Sequence, residues 1–336
     1  MANAQNSAIK MTGFADLYYA YNFNKPTGKN ISLAYNHSRH NEVNLNNLIV
    51  SLKNNSEQVR GNVALHTGTY VKANYSAEPP LLQYINEANV GVKLQKKVWL
   101  DAGIFPSHIG LETSISKDNW TLTRSFCAEN SPYYESGVKV TFLPNDKWAI
   151  VALVLNGWQN MSEQNSNKAV GVQAQFYPIK KVLFNYSNFI GEGRNSPDSL
   201  MRLRHFHDLY CTYILTSKVS LAAVFDIGFE EKSNIDKKML SWYSPALFIK
   251  YKIDSHYSSC LRVDYFGDEW GIVIPTVTPN NLQASAISVN IDYYLDENML
   301  FRIEAKKIIS KDNVFLNNNE FVNNIATVVG SLAISF

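Results

Sequence analysis

An alternation of apolar and polar residues with a period of two runs through almost the whole chain. The stretch 299–307 reads MLFRIEAKK, and the stretches 285–295 and 218–230 show the same rhythm. Successive side chains of a β-strand point to opposite faces, so each stretch presents one apolar and one polar face. No stretch of comparable length shows the 3.6-residue period of an amphipathic helix. The pattern therefore predicts an all-β protein built from two-faced strands.

The connections between these strands alternate in length. Short polar turns are expected at 54–58, 95–97, 144–147, 178–181, 216–218, 254–257 and 296–298. Longer polar stretches lie between them, at 24–40, 72–84, 107–131, 159–168, 191–201, 231–239, 267–281 and 310–323. This alternation is typical of a closed, antiparallel, up-and-down transmembrane β-barrel with short periplasmic turns and longer extracellular loops. The count gives one domain, residues 1–336, of about 16 strands, with both termini on the periplasmic side.

The composition is compatible with a membrane barrel but not with membrane helices. The mean hydropathy of the 336 residues is −0.19, and the longest strongly apolar run, 148–158, is shorter than the ~20 residues that a membrane helix needs. Apolar residues diluted by alternation still form a lipid-facing surface in a barrel. A soluble sandwich or propeller is the alternative, and it would bury its apolar faces between sheets.

Aromatic residues on the apolar face recur close to the predicted short turns. They are Phe142, Phe176, Tyr213, Tyr251, Tyr293, Phe301 and Phe336. A common height of this kind indicates an aromatic girdle at one membrane interface, which favours the membrane barrel over the soluble alternative. The terminal Phe336 closes an amphipathic strand and resembles the signal that the barrel-assembly machinery recognises.

Several other functional classes are disfavoured. The net charge of +2 and the absence of a basic stripe argue against nucleic-acid binding. Three isolated cysteines form neither a disulfide framework nor a zinc site, and the pair His205 and His207 lacks a third ligand nearby. No nucleotide-binding or hydrolase motif is present, so neither an enzyme nor a cofactor or metal is expected. The Ala-x-Ala pattern at 2–4 suggests that a signal peptide has been removed, with 1–8 as a flexible segment.

Three passages resemble the putative β-barrel porin-2 (OmpL-like) family of bacterial outer-membrane proteins. They are GFADLYY at 13–19, NEVNL at 41–45, and GIFPSHIGLE at 103–112 followed by Asn119-Trp120 and TRS at 123–125. Further similar pieces are PYY at 132–134 and LNGW at 155–158, whereas Glu135-Ser136 departs from the family's usual pattern. The resemblance implies a membrane barrel with porin activity and says nothing about the solute.

The loop 107–131 is the candidate constriction. A barrel of about 16 strands can hold an aqueous lumen, and this third long loop contains apolar residues that a plain surface loop would not need. By analogy with general porins, we expect it to fold inward. Its pore-lining candidates are Glu112, Lys117, Asp118, Arg124 and Glu129. The candidates on the polar face of the wall are Arg60, Arg202, Arg204, Asp208, Asp226, Arg262, Asp264, Asp292, Arg302, Glu304 and Lys306. Alternatively, these charges pair merely to satisfy a polar interior.

The sequence thus predicts a porin-like channel in the bacterial outer membrane, through which small hydrophilic solutes or ions diffuse passively. The alternative is a narrowed or plugged barrel that serves as a scaffold or partner subunit in a larger envelope assembly. Expected partners are outer-membrane lipid and lipopolysaccharide, the barrel-assembly machinery, small polar solutes and, as a further possibility, copies of the same chain.

Overall fold

Sixteen antiparallel strands form one closed barrel, in which each strand pairs with both of its neighbours and the last strand pairs with the first. The computed structural model describes residues 9–163, 165–193, 202–318 and 320–336. The predicted closed barrel of about 16 strands is confirmed. Closure pairs the backbone groups of every strand, which is necessary where lipid offers no hydrogen-bond partners. The predicted flexible segment 1–8 lies outside the described residues.

The strand bounds follow the alternating pattern closely. The barrel strands are β1 (Lys10–Asn22), β2 (Val43–Asn55), β3 (Val59–Thr67), β4 (Ile85–Gln95), β5 (Val98–Pro106), β6 (Tyr134–Asn145), β7 (Trp148–Leu155), β8 (Ala169–Ile179), β9 (Val182–Glu192), β10 (Leu203–Ile214), β11 (Val219–Glu231), β12 (Met239–Lys252), β13 (Tyr257–Asp268), β14 (Leu282–Tyr294), β15 (Met299–Ser310) and β18 (Asn324–Ser335). A small hairpin of β16 (Phe315–Asn317) and β17 (Glu320–Val322) lies within the last long loop.

The described helices are short and lie in the long connections. They are α1 (Thr69–Asn74), α2 (Phe126–Glu129) and two 3₁₀ turns at Leu82–Tyr84 and Ser116–Asp118. Within the described residues, no helix has both the length and the apolar character required to cross a bilayer. Short turns join the strands on the periplasmic side and longer loops join them on the extracellular side.

The first and last strands close the barrel beside the end of the chain. Phe14 is opposite Ser335 in the β1–β18 ladder. Just beyond it, the backbone N–H of Gly13 donates to the Phe336 carbonyl at 2.7 Å, and the N–H of Phe336 donates back at 3.0 Å. A β-carbon on residue 13 would lie only 2.2 Å from the Phe336 ring, so glycine provides the space that this aromatic ring occupies.

The two faces of each strand have opposite character. In β15, Phe301 and Ile303 are exposed on the outer surface, whereas Arg302 and Glu304 are buried inside the barrel. The apolar run 148–158, whose facing the alternation left undecided, places Val154 outward and Leu153 inward. The strands thus bury a largely polar interior and present an apolar band to lipid, as the period of two requires.

Candidate functional site

The segment between β5 and β6, residues 107–133, is here called the β5–β6 segment. It leaves the wall after Pro106, where proline can end a strand because it has no N–H to donate to the ladder. At the opposite end of the barrel, Lys117 donates through Nζ to the Glu297 carbonyl at 2.5 Å and to Ser335 Oγ at 2.6 Å. Glu297 lies in the short β14–β15 turn, so the segment reaches from the extracellular end of β5 to the periplasmic rim.

Arg302 on β15 is the main attachment point of the segment. Its Nε and Nη2 donate to the two carboxylate oxygens of Asp292 at 2.8 and 3.1 Å. The guanidinium also donates to four backbone carbonyls of the segment, those of Ser116, Asn119, Trp120 and Thr121, at 2.6–3.3 Å. Because the side chain is 0% exposed, these bonds replace the hydrogen bonds to water that the guanidinium loses on burial.

Arg262 and Glu304 hold the next part of the segment. Nε of Arg262 donates to Asp264 at 2.8 Å. Its Nη1 donates to the Thr121 hydroxyl at 2.7 Å and to the Thr123 carbonyl at 2.5 Å. The Glu304 carboxylate accepts from both the N–H and the hydroxyl of Thr123, each at 2.7 Å. These buried charges therefore bind the segment rather than face an open space.

Helix α2 of the segment lies against β12 and β13. Ser125 caps the helix, its hydroxyl accepting from the Ala128 N–H, and the Phe126 N–H donates to Asp264 at 3.2 Å. The Cys127 thiol donates to the Ser244 carbonyl at 3.1 Å. Lys306 donates from Nζ to the backbone carbonyl that precedes the helix, that of Arg124, at 3.0 Å.

A second attachment lies at the 3₁₀ turn Ser116–Asp118. The Ser116 hydroxyl donates to the buried carboxylate of Asp16 on β1 at 2.7 Å. The same carboxylate accepts from Asn46 at 3.1 Å and Ser331 at 2.5 Å and contacts His37 Nε2 at 2.8 Å. Four separate elements therefore meet at Asp16.

His108 begins the segment and is wedged against β8 and β9. Its Nδ1 lies 2.9 Å from both oxygens of Glu135, and its Nε2 lies 2.8 Å from the Asn188 carbonyl. A β-carbon on residue 171 would lie 2.8 Å from the His108 ring, so Gly171 makes room for it. Burial lowers the pKa of His108, but the Glu135 carboxylate, the Asn188 carbonyl and Asp208 together raise it by more, so the net pKa lies above the ordinary value.

The acidic candidates within the segment occupy different environments. Glu112 is buried and accepts from the N–H and hydroxyl of Ser125. Burial raises the pKa of Glu112, although the neighbouring guanidiniums of Arg262 and Arg124 favour its charged form. Asp118 as a whole residue is exposed. The protein around its carboxyl displaces part of the water, which raises the pKa of that group, while the charge of Lys117 opposes the change.

The remaining candidates lie in buried contacts near the extracellular end or on the wall. Arg124 is 4% exposed, with its guanidinium 4.1 Å above the Tyr133 ring. The hydroxyl of Tyr133 donates to Glu129 at 2.5 Å. Arg204 binds Glu230 at 2.5 Å and contacts two tryptophan rings, and Arg202 lies 3.4 Å from the same carboxylate. Asp226 is buried opposite Asp208 in the β10–β11 ladder.

One wall of the lumen is thus covered by the segment. We define the covered wall as the lumen-facing side chains of β10–β15, β18 and β1, which include Asp208, Asp226, Arg262, Asp264, Asp292, Arg302, Glu304, Lys306 and Asp16. All of these except Lys306 are at most 2% exposed, and Lys306 is itself only partly exposed. The two arginines bond to Asp292 and Asp264, and the arginines and Glu304 also bond to the backbone of the segment. Asp208 and Asp226 instead face each other, and Asp208 accepts from the Gly110 N–H and the Asn185 amide.

The opposite wall is more accessible. We define the open wall as the lumen-facing side chains of β3–β8, which include Arg60, Glu87, Lys93, Trp99, Asp101, Lys139, Thr141 and Gln173. Arg60 retains 32% exposure of its side chain, and Glu87, Lys93, Lys139, Thr141 and Gln173 are all partly exposed. Asp101 is buried, and so are Asn62, His66 and Glu135, which lie farther toward the extracellular ends of the same group of strands.

Of the charges of the open wall, the sequence-based candidates included Arg60 but not Glu87, Lys93, Asp101 or Lys139. The alternation of polar and apolar residues indicates these charges as well. In β6, Lys139 and Thr141 alternate with outward-facing Val138 and Val140. No group of three or more His, Cys, Asp or Glu side chains among the described residues could hold a metal ion.

An apolar layer lies across the extracellular end of the lumen. Phe189, Phe206, Trp242 and Phe266 are at most 1% exposed, and they belong to one cluster with Leu155. Ile31 and Ile272, from the first and seventh long loops, complete the same cluster. The long loops therefore pack into the barrel mouth instead of standing clear of it.

Structures of known outer-membrane proteins share this architecture over nearly their full lengths. The anion-selective porin from Comamonas acidovorans matches with a TM-score of 0.64 at 10% identity, covering 98% of this chain and 99% of that chain. OmpT of Vibrio cholerae in its trimer form matches with 0.64 at 7% identity, covering 98% and 99%. Salmonella typhi OmpF in complex with daunomycin matches with 0.65 at 12% identity, covering 98% and 97%. These similarities show a common fold.

No curated protein matches the chain in sequence. The sequence model of the putative beta-barrel porin-2, OmpL-like family does match it, over residues 8–336. That match covers nearly the whole chain and agrees with the closed barrel, the apolar outer band and the polar lumen. The chain therefore belongs to the putative beta-barrel porin-2, OmpL-like family and is a porin-like channel of the bacterial outer membrane.

Proposed function

We propose that the barrel is a narrow channel for passive diffusion of small hydrophilic solutes, with the β5–β6 segment as its constriction and the open wall as its path. The observation that supports this proposal is the difference in solvent exposure between the covered wall and the open wall. Hydrogen bonds from Arg302, Arg262 and Glu304 hold the segment on one side. Polar side chains on the other side keep accessible surface, as a solute path requires.

The segment has the properties of a fixed constriction. A buried guanidinium that donates to four carbonyls fixes the backbone more firmly than a single surface contact does. The attachment of Lys117 at the periplasmic rim adds a second fixed point. We therefore propose that the segment narrows the lumen over most of its height, and that transport involves no catalytic step.

A plugged barrel that acts as a scaffold remains the second candidate, because a specific observation favours it. The apolar layer of Phe189, Phe206, Trp242 and Phe266 lies at the extracellular end, where a water-filled pore would need polar lining. In this alternative, the barrel would contribute a surface to an envelope assembly and would conduct no ions.

We further propose that the barrel assembles with copies of itself, as the trimer form of Vibrio cholerae OmpT does. Lipopolysaccharide would contact the apolar band, and the barrel-assembly machinery would recognise Phe336. The ring of Phe336 is 65% exposed, so it is available for such recognition.

Conductance in planar bilayers distinguishes the channel from the scaffold. The purified barrel should produce stepwise single-channel currents and should admit small sugars in a liposome-swelling assay. A variant lacking 113–119 should show higher conductance and admit larger sugars, because it loses the part of the segment that Arg302 and Asp16 hold. Folded barrel without any current would support the scaffold, and unchanged size selection in the deletion would remove the segment as the constriction.

A further inference from the structure

We propose that the open wall makes the channel selective for small anions such as chloride, phosphate and short carboxylates. This inference rests on the proposed diffusion path and adds the class of solute. Its basis is a row of directly paired lumen-facing residues on adjacent strands: Arg60 opposite Gly91, Gly91 opposite Asp101, and Asp101 opposite Lys139. Two cations in this row flank a single carboxylate.

Arg60 neutralises that carboxylate by itself. Its Nε and Nη2 donate to the two oxygens of Asp101 at 2.6 and 2.5 Å, which is a bidentate pair. The guanidinium crosses β4 to do so, and Gly91 permits the crossing. A β-carbon there would lie 2.2 Å from Asp101 Oδ1 and 3.0 Å from Arg60 Cγ.

Lys139 is the cation of the row without a direct ion pair, and the carboxylates of Asp101, Glu87 and Glu135 act on it from longer range. Its Nζ lies 4.4 Å from the centroid of the Phe105 ring, and the described residues supply it with no carboxylate partner in an ion pair. A cation–π contact leaves the positive charge in place. Because the lysine is partly exposed toward the lumen, its field acts on a passing ion through low-dielectric walls, where it is focused and weakly screened.

The excess of cations continues toward the periplasmic mouth. Lys93 is the next lumen-facing residue of β4 after Gly91, on the side of the short periplasmic turn. Its Nζ lies 5.6 Å from the centroid of the Trp99 ring. Below it, Lys53 and Lys117 line a cavity of 220 Å³ between the β5–β6 segment and the wall, together with Glu87 and Asp118. The path therefore carries five cations, Arg60, Lys93, Lys139, Lys53 and Lys117, against four carboxylates, Glu87, Asp101, Asp118 and Glu135, the last of which contacts His108.

The cations of the covered wall do not contribute in the same way. Arg302 is bound to Asp292, Arg262 to Asp264, and both are 0% exposed. Arg124, which the sequence suggested as a basic group of the constriction, is buried against Tyr133. Selectivity is therefore assigned to the wall opposite the segment's attachment.

Reversal potentials in a KCl gradient test this assignment. The wild-type channel should be more permeable to Cl⁻ than to K⁺, and Lys139→Glu should lower the permeability ratio at least about two-fold, because it reverses a lumen-facing charge that has no direct ion pair. Lys311→Glu, which changes an exposed lysine in the extracellular β15–β16 connection, is the matched control and should leave the ratio unchanged. The wild-type preference should also weaken between 0.1 and 1 M salt, as the screening length falls from ~10 to ~3 Å.

Each outcome has a distinct meaning. If Lys139→Glu does not fold, Lys93→Glu provides the second test, and the same decrease in Cl⁻ preference is expected. A conducting wild-type channel that prefers K⁺, or one whose ratio is unchanged in a folded charge-reversal variant, would overturn the anion assignment while leaving the diffusion channel intact. Absence of any current would instead overturn the proposed function, and the anion assignment with it.

Discussion

The covered wall and the open wall carry similar residues in very different environments. On the covered wall, Arg302 and Glu304 are at most 1% exposed and are bonded to the β5–β6 segment. On the open wall, Arg60 pairs with Asp101 much as Arg302 pairs with Asp292, yet the Arg60 side chain is 32% exposed. The strand alternation places both of these pairs on the lumen face. The difference comes from the segment, whose backbone bonds Arg302, Arg262 and Glu304 along the covered wall. On the open wall, its backbone bonds Gln173 and Glu135 at His108, near the extracellular end.

This difference separates two uses of charge inside a barrel. A buried charge must recover its lost hydration from hydrogen bonds, so on the covered wall the charges fix a loop in place. A charge that keeps contact with the lumen acts on whatever passes. We therefore expect substitutions on the covered wall to change stability and substitutions on the open wall to change permeation.

The largest expected effect is that of Arg302→Met. The change removes the donor to Asp292 and to four segment carbonyls and leaves a buried carboxylate without its partner, which should cost about 3–5 kcal/mol of unfolding free energy. The matched change Arg60→Met on the open wall also removes the partner of a buried carboxylate, Asp101, but it removes no bond to the segment and its guanidinium is partly exposed, so it should cost less, roughly 1–3 kcal/mol. Urea unfolding in lipid vesicles measures both, and equal losses would remove the distinction between the walls.

A smaller loss is expected when charge is added to the lipid-facing surface. Ile303→Arg near the middle of β15 should cost roughly 2–4 kcal/mol, because its side chain is 45% exposed on the apolar face. Thr141→Arg on the open wall should cost much less, since its side chain reaches the lumen. The same unfolding assay applies, and a costlier Thr141→Arg would mean that the open wall is not accessible to water.

The strand alternation was sufficient to predict the barrel and the facing of its charges. Arg262, Asp292 and Lys306 all point inward as expected. Which of them would be covered depends on contacts between residues far apart in sequence, such as Thr123 with Glu304, 181 positions away. No local pattern encodes such a contact. The pairing of Arg60 with Asp101 across Gly91 likewise depends on strand register.

The strand alternation does not predict the apolar layer either. Alternation marks inward positions as polar, yet Phe206, Trp242 and Phe266 occupy inward positions at the extracellular end. Their partners are Ile31 and Ile272 from distant loops. In addition, a register shift between Asp16 and Leu17 in the β1–β2 ladder interrupts the simple period of two.

The smallest of the stability effects should appear as a pH dependence at His108. Its pKa lies above the ordinary value near 6.5 because Glu135, the Asn188 carbonyl and Asp208 together outweigh the opposing effect of burial. A raised pKa in the folded state means that the stabilising contribution is fully present below about pH 6.5 and is lost as pH rises through the folded value. Wild-type stability should therefore contain a component that decreases between pH 6 and 9.

This component should disappear in His108→Gln and persist in His256→Gln, which alters an exposed histidine in a short turn. Unfolding free energies at pH 6 and 9 for the three proteins provide the comparison. The same pH dependence in His108→Gln as in the wild type would show that the His108–Glu135 pair does not titrate as described.

Access to the two walls can be measured directly in a background whose native cysteines, Cys127, Cys211 and Cys260, are replaced. Thr141→Cys places a thiol on the open wall, and Ser288→Cys places one on β14, where the side chain is 2% exposed beneath the segment. A membrane-impermeant cationic thiol reagent should lower the current of Thr141→Cys and leave that of Ser288→Cys unchanged. Equal modification of both thiols, or an unmodified Thr141→Cys, would contradict the division of the lumen into a covered and an open wall.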